Sequence, residues 1–306
     1  MGYVTSDNYN VPDEGETIWR YMTFEQLLSL LQKQELHFHR ADCFDDPFEG
    51  TVPKAITQLR EEGYREDHEE DSDTSIDDLI GVHSRVVRKT REYAFLNCWH
   101  INSKGESAAM WDQYGEIDKA IAIKSTFGSL VKSLDKTDVD IHGAQVYYTD
   151  FHSDIDEVEP LERKRMTGAL GGSEQETRIT DSLIFKRNSF EHEQEFRLMD
   201  TDFDVIPRDE FDEIDYNIDI DGETYRDPLF VYQNDQWGAV DFREPHDSKG
   251  KGISVDIDSL INEIRISPGA DDWFESTVEK AVENSSDNRL TKSDVRQSDS
   301  KRDRFF

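Results

Sequence analysis

The stretch Glu193-Gln194-Glu195-Phe196-Arg197-Leu198 constrains the fold more than any other, because its chemistry alternates residue by residue. Successive side chains of a strand point to opposite faces, so Phe196 and Leu198 share one face while Glu193, Glu195 and Arg197 share the other. The spacing predicts a strand over His192 to Met199 with its apolar face on a core. Leu36-His37-Phe38-His39-Arg40 alternates in the same way and reads as a second half-buried strand. Thr23 to Lys33 predicts a helix opened by a Thr23…Gln26 capping box. Ile76 to Arg91 predicts a helix with a basic end (Arg85, Arg88, Lys89, Arg91), which suits the helix dipole, and Glu106 to Tyr114 a short one. Further strands are expected at Tyr93 to Trp99, Ala120 to Lys124, Gln145 to Tyr148 and Glu263 to Ile266, with a last helix at Asp272 to Asn284. Strands mixed with short helices, without regular βαβ spacing, imply an α+β fold: a mixed or antiparallel sheet core with short flanking helices and acidic insertions. One domain is expected over residues 17–284, then a polar, partly disordered tail over 285–306.

Charge sets what surrounds that core. Sixty-eight acids stand against 35 bases, a formal charge of −33. Ten acids and one Arg fall between Glu61 and Asp78, and twelve acids and two Arg between Asp200 and Asp227. A mean hydropathy of −0.80 alone would suit disorder. The 17 Phe, 11 Tyr and 5 Trp argue instead for a folded chain with a charged exterior. Acids spread over loops and helix faces, with few Lys, are the halophilic pattern expected of a salt-accumulating cytoplasm. Such a surface excludes general nucleic-acid binding through a basic face. Two cysteines imply no disulfide framework, no signal peptide opens the chain, and no apolar run suits a membrane span. A cytoplasmic protein is expected.

Three blocks concentrate chemistry-bearing residues: Trp19-Arg20-Tyr21; Cys98-Trp99-His100 with Glu106-Ser107…Met110-Trp111…Tyr114; and Lys186-Arg187…Phe190…Glu193-x-Glu195-x-Arg197. Arg20 between two aromatics could bind an anion or stack on a ring, or simply snorkel. Ser107, Met110, Trp111 and Tyr114 share a helical face, usually a core face, although core packing needs no Ser hydroxyl. His100 follows a strand end and could act as a base, or be structural. Glu193 and Glu195 could line a pocket and stabilise an oxocarbenium ion, or form a surface ladder. Lys186 and Arg187 could meet phosphates. The catalytic candidates are therefore Glu193, Glu195 and His100; the ligand-binding candidates are Arg20, Tyr21, Ser107, Trp111, Tyr114, Lys186 and Arg197. Cys43, Cys98, His37, His39 and His100 fit no zinc spacing. Asp45, Asp46 and Glu49 with Glu193 and Glu195 could hold Mg²⁺ for a nuclease. No glycine-rich phosphate loop of the Rossmann or P-loop kind is present.

These blocks, with Phe44-x-Asp46-Pro47-Phe48-Glu49 and Leu260-Ile261…Glu263-Ile264…Ser267-Pro268, occur in order between Trp19 and Ser298. They resemble the family known as domain of unknown function 2971. More distantly, an early aromatic-flanked Arg, a Ser-bearing middle motif and a late Glu-x-Glu strand look similar to the three-motif layout of ADP-ribosyltransferases. Glu106 precedes Ser107 where that layout would place a Ser-Thr-Ser run. The likeness implies NAD as substrate, cleaved by ADP-ribosyl transfer or hydrolysis. Arg20 would then bind pyrophosphate or ribose, Ser107 the nicotinamide ribose, Tyr114 or Trp111 the nicotinamide ring, and Glu193 or Glu195 the ribose 2′-OH. A non-enzymatic nucleotide-sensing or protein-interaction module and a metal-dependent nuclease are the alternatives. A small nucleotide is the expected partner, and no macromolecular target is indicated.

Overall fold

A computed structural model gathers the alternating segments into one ten-stranded mixed sheet. It describes residues 2–5, 9–67, 76–113, 118–160, 163, 179–207, 218–220, 223–225, 230–233, 236–241, 247–285 and 289–299. The strands in chain order are β1 (Gly2–Tyr3), β2 (Thr17–Thr23), β3 (Glu35–Arg40), β4 (Ala94–Ile101), β5 (Ala120–Thr126), β6 (Asp140–Gln145), β7 (Tyr147–Thr149), β8 (Phe185–Arg187) and β9 (Glu195–Thr201). Then come β10 (Asp204–Pro207), β11 (Ile218–Ile220), β12 (Glu223–Tyr225), β13 (Phe230–Gln233), β14 (Gln236–Asp241), β15 (Gly250–Ser254), β16 (Glu263–Ile266) and β17 (Val295–Gln297). The large sheet runs β1-β6-β9-β4-β2-β5-β16-β17, with β3 joined to β4 and β15 to β3. Its β1–β6 and β16–β17 pairs are parallel and the remainder antiparallel. With helices packed on this sheet the fold is α+β.

One junction shapes everything downstream. Along one edge β4 pairs continuously with β9, from Ala94↔Thr201 to His100↔Glu195. Along its other edge β4 meets two partners: β2 at Ile18↔Ile101 and Trp19↔His100, and β3 at His39↔Leu96 and Arg40↔Phe95. The sheet therefore forks beside Asn97 and Cys98, leaving backbone groups that need other partners. Side chains supply them. Arg20 Nη1 donates to Cys98 O at 2.8 Å and Nη2 to His37 O at 3.4 Å, while Asn97 Nδ2 donates to His37 O at 2.8 Å.

The alternation places the core as expected. Phe95 and Trp99 of β4 and Phe196 and Leu198 of β9 join the larger apolar cluster with Leu27, Leu30 and Leu31 of helix Phe24–Lys33. That helix carries the capping box, with Gln26 N–H on Thr23 Oγ1 and Thr23 N–H on Gln26 Oε1. Ala94 and Leu96 belong to a second cluster with Phe185 and Met199. Cys98, His100, Glu195 and Arg197 occupy further positions of the same alternation.

Several boundaries differ from expectation. The strand begins at Glu195, because Asn188–Glu193 forms a 3₁₀ turn and Gln194 takes a left-handed backbone (φ 39°) that closes it. Pairing in the expected Gln145 to Tyr148 region divides between β6 and β7, on different partners. The helix expected over Glu106 to Tyr114 spans Ala108–Gln113; Ser107 precedes it, and Tyr114 lies outside the described residues. Within the tail expected from Ser285, Val295–Gln297 forms β17, parallel to β16, and Val295 packs into the core cluster. Parts of the acidic run from Asp200 carry β10, β11 and β12, so strand structure reaches into it. Among the described residues no helix is long and apolar enough to cross a membrane.

Candidate active site

A cleft of about 890 Å³ opens where β2 and β3 part. That volume falls in the ~300–1,000 Å³ range of small-molecule sites. Its wall brings together Arg20, Tyr21, His100, Lys186, Glu193 and Glu195 from the three sequence blocks, 175 positions apart at the extremes (20 to 195). Trp19, Phe44, Trp99 and Phe190 add aromatic surface.

Beneath that wall runs a chain of buried ions. Arg197 is wholly buried: its Nη1 and Nη2 meet Glu49 at 2.5 and 3.1 Å, and its Nε meets Glu195 Oε1 at 2.7 Å. Lys186 Nζ donates to Glu195 Oε2 at 2.9 Å and also to Glu193 Oε2. Gln113 Nε2 completes the chain on Glu193 Oε1 at 3.0 Å. The two carboxylates read as strand neighbours thus converge on one ammonium, Glu195 from the strand and Glu193 from the preceding turn. Burial alone would push Glu195 up, but Arg197 and Lys186 outweigh it and hold the carboxyl well below the ordinary range. Desolvation opposes the charge on Lys186, yet its carboxylate neighbours raise it above the usual value. Glu49 is pushed up by burial against the pull of Arg197.

The two glutamates are not equivalent. Both oxygens of Glu195 face cations. Among the described residues, Glu193 has a cation on one oxygen and a neutral amide on the other. Two cations, Arg197 and Lys186, serve the three carboxylates of the chain.

His100 stands beside it. Its Nδ1 lies 2.6 Å from Glu193 O, and a carbonyl can only accept, so Nδ1 carries the hydrogen. Burial lowers the imidazole pKa, favouring the neutral ring, in which Nε2 then keeps a bare lone pair. Nε2 is buried and, among the described residues, has no hydrogen-bond partner. His100 thus lines the cleft with its ring oriented through Nδ1.

The remaining candidates divide. Tyr21 lines the cleft, its hydroxyl accepting Ser107 N–H at 2.8 Å; burial raises its pKa. Ser107 is placed as a cap, with Met110 N–H on its Oγ at 3.4 Å, and that accounts for a hydroxyl beside an apolar face. Trp111 sits behind Tyr21, ring centroids 4.9 Å apart, with Nε1 on Glu106 Oε2 at 3.1 Å. Ser107, Trp111 and Arg197 are not part of the cleft wall. Arg20 does line it, while spending donors on the fork; Arg187 lines it while paired with Asp46 at 2.8 Å. Gln113 and Tyr148, whose hydroxyl accepts Glu195 N–H at 2.9 Å, were not singled out in sequence. Gln113 could have been found three residues after Met110, with which it shares the cleft wall.

The carboxylates weighed for Mg²⁺ are engaged otherwise. Asp46 holds Arg187, Glu49 holds Arg197, and Glu195 holds both Arg197 and Lys186. A metal would have to displace these cations. Among the described residues no three His, Cys, Asp or Glu gather as metal ligands.

Fold and cleft together define an α+β protein with an aromatic-walled, ion-floored pocket. Residues 110–198 match the family model described as "Protein of unknown function (DUF2971)", as the sequence blocks led one to expect. The matched span contains Gln113, Lys186, Glu193, Glu195 and Arg197. No curated protein and no solved structure matches the chain.

Proposed function

We propose that the cleft binds NAD and cleaves its nicotinamide–ribose bond, passing the ADP-ribosyl group to water or to a hydroxyl-bearing acceptor. The observation that carries this reading is an aromatic-walled cleft of dinucleotide scale whose wall holds both His100 and Glu193, the Glu193 carboxylate meeting Lys186 on one oxygen and the Gln113 amide on the other. As the C1′–N bond breaks, its electron pair leaves with nicotinamide and the ribose gains oxocarbenium character. Glu193 would stabilise that positive charge. The incoming hydroxyl would lose its proton to His100 Nε2 as the new C1′–O bond forms. Arg197 acts through Glu195, fixing the floor rather than touching substrate.

The test is nicotinamide release from NAD by the wild type and by Glu193→Gln. Release by the wild type, with a fall of about 10²-fold or more in the variant, supports the reading. NAD binding without release would leave a nucleotide-binding module. A folded wild type that neither binds nor cleaves NAD would end the proposal.

A further inference from the structure

The helix Ala108–Gln113, which brings Met110 and Gln113 to the cleft wall, has six residues, too few to hold its shape without tertiary partners. Part of its support is apolar, since Met110 and Trp111 pack with Trp19, Tyr21 and Ala120. The polar part centres on Glu106, whose side chain is 3% exposed. Glu106 Oε2 accepts from Trp111 Nε1 at 3.1 Å and from Ser298 Oγ, and Oε1 accepts the Asp299 N–H at 3.0 Å. One buried carboxylate thus ties the helix to a segment 192 positions further along the chain. That segment is short. Its strand β17 has three residues, ends the order of the large sheet, and gives Val295 to the core. The Ser298 N–H on Ile266 O at 2.9 Å extends the pairing with β16. Arg265 of β16 adds a second grip, its Nη1 meeting Gln297 O at 2.9 Å and Asp299 Oδ1 at 2.8 Å.

Elements with few buried apolar contacts open locally well before the whole chain unfolds. If residues 295–299 detach, Glu106 gives up the Ser298 and Asp299 donors together and keeps Trp111. A buried carboxylate short of donors is costly, and turning it towards water draws the start of the helix with it. We infer that residues 295–299 are a latch on the cleft: the segment and helix Ala108–Gln113 open as one unit through Glu106, withdrawing Met110 and Gln113 from the wall. In that step Gln113 Nε2 leaves Glu193 Oε1, so the latch sets the surroundings of the Glu193 carboxylate from the far end of the sheet. The inference concerns the wall itself and is independent of which ligand or reaction the cleft serves.

The experiment is amide hydrogen exchange of the full chain, read by mass spectrometry in salt where circular dichroism shows it folded. Wild type, Ser298→Ala and Trp111→Phe are compared. The first variant removes a hydroxyl from the latch side of Glu106; the second removes the indole donor from the helix side and keeps an aromatic ring. Coupling between two sites is reciprocal, so each substitution must loosen the other segment. Exchange is expected to quicken about tenfold or more over residues 107–113 in Ser298→Ala, and over 295–299 in Trp111→Phe, the size of losing a hydrogen bond to a charged group. Helix Phe24–Lys33 should exchange as in wild type in both. Either variant decides the matter by itself where the other fails to fold. Faster exchange confined to the substituted segment, no acceleration at all, or an equal acceleration in helix Phe24–Lys33 would overturn the inference.

Discussion

At the scale of single residues, Glu193 and Glu195 separate function from support. Removing the charge of Glu195 leaves Arg197 and Lys186 buried with an incomplete set of anions, so Glu195→Gln should destabilise the fold by about 3 kcal/mol or more. Glu193→Gln keeps a group that accepts from Gln113 and leaves Lys186 on Glu195, so its cost should be about 1 kcal/mol. Urea denaturation of the two variants checks the contrast, and equal losses would contradict it. His100 gives a pH signature. Its folded pKa is depressed, so the unfolded chain binds the proton more readily; the stability it contributes is complete above about pH 6.5 and is lost as pH falls through the folded value. His37, depressed mainly by burial, acts in the same direction. Glu195, also depressed, adds a further loss only below the ordinary carboxylate range. His100→Asn retains a donor for Glu193 O and should flatten the slope just below pH 6.5 while removing the base; an unchanged slope would show that His100 does not set it. The cleft residues were legible in sequence as clusters of chemistry. Their division into wall and support was not, because Arg197 and Trp111 differ from Lys186 and Tyr21 only in what packs in front of them.

Among the elements, the fork of β4 between β2 and β3 decides where the cleft forms. Arg20 bridges that fork through Cys98 O and His37 O, so Arg20→Ala should cost about 1–3 kcal/mol besides any loss of ligand binding. A melting temperature unchanged from wild type would show that the bridge carries no weight. The C-terminal segment is tied to the cleft from outside: Ser298 and Asp299 hold the Glu106 carboxylate, which holds Trp111, which packs on Tyr21. Strand alternation and helix caps made most elements readable, helix Phe24–Lys33 and β16 almost to the residue. The fork was not readable, since both β2 and β3 look like ordinary partners for β4. Nor was β17, a three-residue segment with one apolar side chain that gains its place by pairing with β16 and packing Val295 into the core.

For the whole molecule, the surplus of acids dominates behaviour in solution. A charge of −33 repels itself at low ionic strength, and ~1 M salt shortens the Debye length to about 3 Å. The melting temperature should therefore rise from 0.1 M to ~1 M KCl; a fall or a flat response would mean that exposed acids are balanced locally. The buried ion chain of the cleft should contribute little to that rise, because buried pairs are screened least. The most direct measurement of the central claim is NAD titration and nicotinamide release in ~1 M KCl, wild type beside Glu193→Gln. The account predicts binding by both proteins, with release confined almost wholly to the wild type. Equal release from the two would contradict the role given to Glu193, and absence of NAD binding by the folded wild type would contradict the reading of the cleft itself.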